Sequence, residues 1–87
     1  MGWNLSLRLE KLGVEVFIAG YFEKSDLVWV EVSGNTYPIR RILKKCGLSW
    51  NRGWHAWTAY LSREKAEELL RILKKLDADN PFLHKDD

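Results

Sequence analysis

The chain has 87 residues, 46% of them hydrophobic and 30% charged, a composition that excludes intrinsic disorder and supports one small core. No apolar run approaches the ~18 residues that a membrane-spanning helix requires, so a soluble, cytoplasmic domain with no membrane partner is the expectation. Cys46 is the only cysteine, which rules out an intrachain disulfide and leaves packing to hold the fold.

The formal net charge of +2 conceals a division along the chain. Residues 1–31 carry three basic and five acidic side chains, and residues 64–87 carry five and seven. Residues 32–63 carry six basic side chains and no acid. Segregation of this kind bears on partners more than on fold, and here it points to an anionic ligand.

In chain order, Trp3, Leu5, Leu7 and Leu9 alternate with polar residues, the period-two signature of a half-buried strand. Lys11-Leu12-Gly13 reads as a turn into a β-branched and aromatic run, Val14 to Phe22, and a polar link leads to a third run, Leu27 to Val32. Three sequential strands with short links predict an antiparallel meander. Its inner face would hold Leu5, Leu7, Leu9, Val14, Val16, Ile18, Val28, Val30 and Val32. The outer face would then carry Arg8, Phe17, Tyr21 and Trp29, with Glu15 and Glu31 among them. Three large rings beside an arginine exceed ordinary scattered exposure. Such a face is either covered, buried in a dimer contact, or used to stack bases.

Gly34-Asn35 closes the third strand, Thr36 is placed to cap a helix, and Pro38 is tolerated in its first turn. Ile39, Ile42, Leu43 and Cys46 form one apolar stripe at helical spacing, and Gly47 is placed to end the helix in a left-handed conformation. The opposite face carries Arg40, Arg41, Lys44 and Lys45. Leu48 to Leu61 reads as a β-hairpin around Asn51-Arg52-Gly53. A three-residue turn with Gly53 at a bulge would pair Trp50 with Trp54. The preferred four-residue turn pairs Trp50 with His55, gathers Leu48, Trp50, Trp57, Ala59 and Leu61 on the core side, and leaves Trp54 at the tip. Ser62 caps a final helix to about Leu76, whose buried stripe is Ala66, Leu69, Leu70, Leu73 and Leu76. Its acids fall early and its bases late, as the helix dipole favours. The fold expected is therefore α+β: one antiparallel sheet in the order β-β-β-α-β-β-α, with two helices packed on one face. Residues 1–78 would form this single domain and 79–87 an exposed acidic tail, with the exposed stretch beginning at Asp77.

The succession strand, Gly34-Asn35-Thr36-Tyr37, amphipathic helix, Gly47-Leu48-Ser49-Trp50, turn, Trp57, helix resembles a small module of plasmid and phage DNA-processing proteins. In that module a glycine-terminated helix is followed by one tryptophan and, seven positions later, by another. More loosely, the stretch is similar to the HARP domain of annealing helicases. The resemblance covers residues 32–75 and implies DNA binding by a non-catalytic domain, in a plasmid, viral or cellular replication and repair setting. Ser49 stands where the module usually has a charged residue, and Asn51 where it often has an acid.

No catalytic, metal or cofactor site is expected. Cys46 belongs to an apolar stripe, where a free cysteine behaves as a small hydrophobe, and no carboxylate in its neighbourhood of sequence orients His55. His55, His84 and Cys46 lack the paired spacings of zinc sites, and no glycine-rich phosphate loop or small-molecule substrate site is evident. The nucleic-acid reading rests on Arg40, Arg41, Lys44, Lys45, Arg52 and Arg8 as phosphate partners and on Trp54, Phe17, Tyr21 and Trp29 as stacking rings. The competing reading is a protein-interaction module or homodimer that buries the aromatic sheet face. For Trp3, Trp50 and Trp57 the expectation is core packing.

Overall fold

The computed structural model describes residues 3–20 and 26–79. Five antiparallel strands form one sheet in the spatial order β1-β2-β3-β5-β4. The strands are β1 (Trp3–Leu9), β2 (Val14–Gly20), β3 (Leu27–Gly34), β4 (Ser49–Asn51) and β5 (Ala56–Ser62), and the helices are α1 (Arg40–Lys45) and α2 (Arg63–Asp79). The α+β element order read from the sequence is the observed one. The connection through α1 carries the chain past the position that β5 fills, so the short strand β4 becomes the sheet edge and β5 returns beside β3.

Alternation decides the two faces. Leu7, Val16, Val32, Trp57 and Trp50 form one inward row across the whole sheet, and Leu5, Ile18, Val30 and Ala59 form the next. Val14, Ile18, Val30 and Val32 are fully buried beneath Leu43 of α1 and Leu69 and Leu73 of α2. Removing apolar surface from water contributes about 1.5–3 kcal/mol for each such side chain, so this layer of contacts is a main apolar source of the fold's stability. Both helices draw their buried residues into that one cluster. Among the described residues, no helix lies against the outer face.

Several local expectations hold. Gly47 has φ 97° and ends α1, a conformation that costs a residue with a Cβ dearly. Ser62 caps α2, its Oγ accepting the Lys65 N–H at 3.1 Å. Other expectations are corrected. Thr36 makes no cap, and the segment after it opens as a 3-10 turn, Tyr37–Ile39, before α1. Its hydroxyl instead accepts the indole N–H of Trp57 at 3.1 Å, a buried bond across 21 residues of sequence. The hairpin turn does contain four residues, but it is closed by Asn51 opposite Ala56, so Trp50 faces Trp57 and not His55. Asn51 Oδ1 accepts the Trp54 N–H at 3.2 Å, and the left-handed residue is His55, φ 51°, not Gly53. The side-chain hydrogen bond of Asn51 thus helps close the four-residue turn, and Gly53 is not the bulge of the three-residue alternative.

Helix α2 continues past Leu76 to Asp79, and Asp77 is half-buried. Its Oδ1 accepts the Leu12 N–H at 2.9 Å, which ties the helix end to the β1–β2 turn instead of opening a tail there. The remainder of the expected tail and the end of the second predicted strand, Tyr21 and Phe22, lie outside the described residues.

Candidate functional site

The candidate side chains among the described residues fall on two surfaces, and the sheet separates them. On the outer face, the partners Ala19, Trp29 and Tyr60 form one cross-strand row, with Phe17, Glu31 and Thr58 in the next. Trp29 meets Tyr60 edge to face at 4.9 Å between ring centroids, a geometry that aromatic quadrupoles favour. The Trp29 indole N–H donates to Glu31 Oε2 at 2.6 Å, and Arg8 pairs with Glu15 at 3.1 Å near β1. Arg8, Phe17 and Trp29 are therefore placed outward as alternation required. Tyr21 lies outside the described residues.

Tyr60, 56% exposed, is the residue that the sequence reading missed on this face. The signal was present, because Trp57 inward and Ala59 inward on β5 force Thr58 and Tyr60 outward. Among the described residues, the charges that alternation places on this face of the strands include Arg8, Glu15 and Glu31, and the Arg8 cation is already paired with Glu15.

The second surface is built where the 3-10 turn, α1 and the β4–β5 hairpin meet. A depression of 310 Å³ opens there, lined by Asn35, Tyr37, Arg40, Trp50 and Trp57 among others. Tyr37 is 70% exposed and carries the Arg40 guanidinium over its ring, 3.7 Å from the centroid. Arg40 also donates to the Tyr37 carbonyl at 2.7 Å, so its cation is held at the rim by two contacts that leave its charge uncancelled. Trp50 leans edge-on against Trp57, with ring centroids 5.9 Å apart, and against His55 at 6.4 Å. Trp57 is buried as expected, whereas Trp50 is 48% exposed. The expectation that Trp50 packs into the core is corrected because it sits on the three-residue edge strand. One side of that strand has no sheet neighbour to cover the ring.

Beyond the rim, Arg41, Lys44 and Lys45 are exposed on α1 and Arg52 is exposed in the hairpin turn. None of these four enters an ion pair among the described residues. Arg40 and Lys44 are four apart and share a helix face, so the cationic line runs from the depression along α1. Trp54 is 62% exposed at the hairpin tip, as predicted. The acid-free segment is nevertheless not wholly acid-free in space. Between the helices lies a groove of 220 Å³ lined by Lys45, Cys46, Lys65 and Glu68, so α2 brings a carboxylate to the far end of the basic strip.

Cys46 sits in that groove, and burial, then the Glu68 carboxylate, push its thiol above the usual value. That is the opposite of what a nucleophilic cysteine requires. His55, the other candidate for chemistry, lies in the hairpin turn against Trp50. Among the described residues no three His, Cys, Asp or Glu side chains converge as a metal site, and no helix is long and apolar enough to cross a membrane.

No family model matches the chain, and comparison with curated proteins and with solved structures returns no significant match.

Proposed function

We propose that this domain binds nucleic acid without catalysing a reaction, using the surface formed by α1 and the β4–β5 hairpin. The observation that carries this reading is the aromatic depression at Tyr37 and Trp50 with Arg40 held at its rim, continuous with Arg41 and Lys44, which make no ion pair among the described residues. Cations supply affinity by releasing the counterions condensed on the polymer, and flat rings grip bases whatever their sequence. The resemblance over residues 32–75 makes DNA the first polymer to test. A short fluorescent oligonucleotide titrated at several salt concentrations is the experiment: binding that weakens steeply with salt supports the reading, and no binding at low salt removes it.

A second reading is a protein contact or homodimer through the outer sheet face. It is favoured by the row of Trp29 and Tyr60 beside Phe17, which no helix covers among the described residues and in which the Trp29 indole N–H is already held by Glu31. Sedimentation across a range of concentrations tests it, because a self-associating face gives a mass that rises towards twice that of the monomer.

A further inference from the structure

We infer that the depression between Tyr37 and Trp50 receives a single unpaired base, which makes the polymer single-stranded where it meets this domain. The inference rests on the nucleic-acid reading and adds to it the form of the ligand.

Size is the first argument. At 310 Å³ the hollow is at the lower end of the ~300–1,000 Å³ typical of ligand sites, room for one flat heterocycle and not for a length of chain. Its walls are the second. Tyr37 and Trp50 are two of the most exposed rings in the described structure, and both open onto the same hollow instead of being scattered. Its base is the buried Trp57, held by the bond from its indole N–H to Thr36 Oγ1, so the site is formed before a ligand arrives. The rim carries complementary chemistry: the exposed Asn35 side chain offers a donor and an acceptor for a base edge, and Arg40 offers a cation for the adjoining phosphate.

A base within a duplex is stacked on both sides and cannot enter such a hollow without being flipped, at a cost of a few kcal/mol. An unpaired base has already lost that stacking. The outer sheet face cannot take the same role with equal ease, because its arginine is bound to Glu15 and its central indole N–H to Glu31.

The test compares three fluorescent ligands of equal length: a thymidine strand, an abasic strand with the same phosphates, and a duplex. Stacking contributes about 1–3 kcal/mol per base, so the wild-type protein should bind the thymidine strand about 5- to 160-fold more tightly than the abasic one. Trp50→Ala should erase that difference, and Trp50→Phe should restore part of it. Equal wild-type affinity for thymidine and abasic strands, with both still salt-dependent, would overturn base insertion and leave the nucleic-acid reading standing. Absence of binding to all three at low salt would overturn both. The wild-type comparison needs no variant, so a folding defect in Trp50→Ala cannot obscure the result.

Discussion

The outer sheet face and the helix–hairpin surface are made from the same materials, large rings and arginines, yet they differ in whether those groups satisfy one another. On the sheet face they do: Arg8 closes onto Glu15, Trp29 donates to Glu31, and Trp29 packs on Tyr60. On the helix–hairpin surface Arg40 stacks on Tyr37, which holds the cation without neutralising it, and Arg41, Lys44 and Arg52 make no ion pair among the described residues. An exposed ring is therefore a poor guide to a nucleic-acid site by itself. The discriminating features are uncancelled charge next to the ring and a concave shape to hold what the ring touches.

The most damaging way to break the concave side is through its backbone. Gly34 lines the depression with φ 96°, and a Cβ there would lie 2.5 Å from the Gly13 carbonyl oxygen and 3.1 Å from Val14 Cα. Both obstacles are backbone and cannot swing aside. Gly34→Ala should cost about 2–4 kcal/mol, the sum of left-handed strain and overpacking, read as a lowered midpoint in urea. An unchanged midpoint would mean that the β1–β2 turn yields freely, and that the hollow is less fixed than described.

The next effect is electrostatic. Lys44→Glu with Lys45→Glu should weaken oligonucleotide binding at least ~10-fold at moderate salt and reduce the slope of log affinity against log salt by about 2, one for each phosphate no longer neutralised. The matching change on the other face, Trp29→Ala with Tyr60→Ala, should leave oligonucleotide affinity within about twofold, since it removes no cation and no part of the depression. If the second pair weakens binding and the first does not, the assignment of the two faces is reversed.

Much of this comparison was legible in the sequence, and the parts that were not share a physical cause. Period-two alternation placed Arg8, Phe17 and Trp29 outward, and the 3.6-residue period placed Leu43, Leu69 and Leu73 inward, because both patterns are enforced by one continuous core. The hairpin pairing came out two residues away from that expected, since a shift of two keeps every side chain on its own face and hydrophobicity cannot detect it. The side chain of Asn51 and the left-handed His55 decide it locally. Thr36 has the residue type of a helix cap, and only the approach of Trp57 from 21 residues away shows that its hydroxyl is already engaged. Tyr37 entered no periodic pattern, lying in a 3-10 turn before Pro38, so its meeting with Trp50 at one hollow could be seen only in three dimensions.

The smallest effect expected marks where the cationic surface ends. Glu68 lines the interhelical groove with Lys45 and Cys46, and the thiol of Cys46 is pushed up first by burial and then by that carboxylate. A thiol whose folded value lies above its unfolded one favours the folded state fully at pH below the unfolded value. That contribution disappears as pH rises through the folded value, so it shapes only the alkaline limb of stability. Glu68→Gln removes the smaller of the two causes. Cys46 should then react with a thiol reagent faster at fixed alkaline pH, with its rate profile displaced towards lower pH but still above that of an exposed cysteine, since burial remains. The same variant removes a negative charge beside Lys45 and should tighten oligonucleotide binding by no more than about threefold, the modest gain expected of a screened surface charge. A displaced thiol profile with no gain in binding would place the end of the nucleic-acid surface short of Lys45, at Lys44.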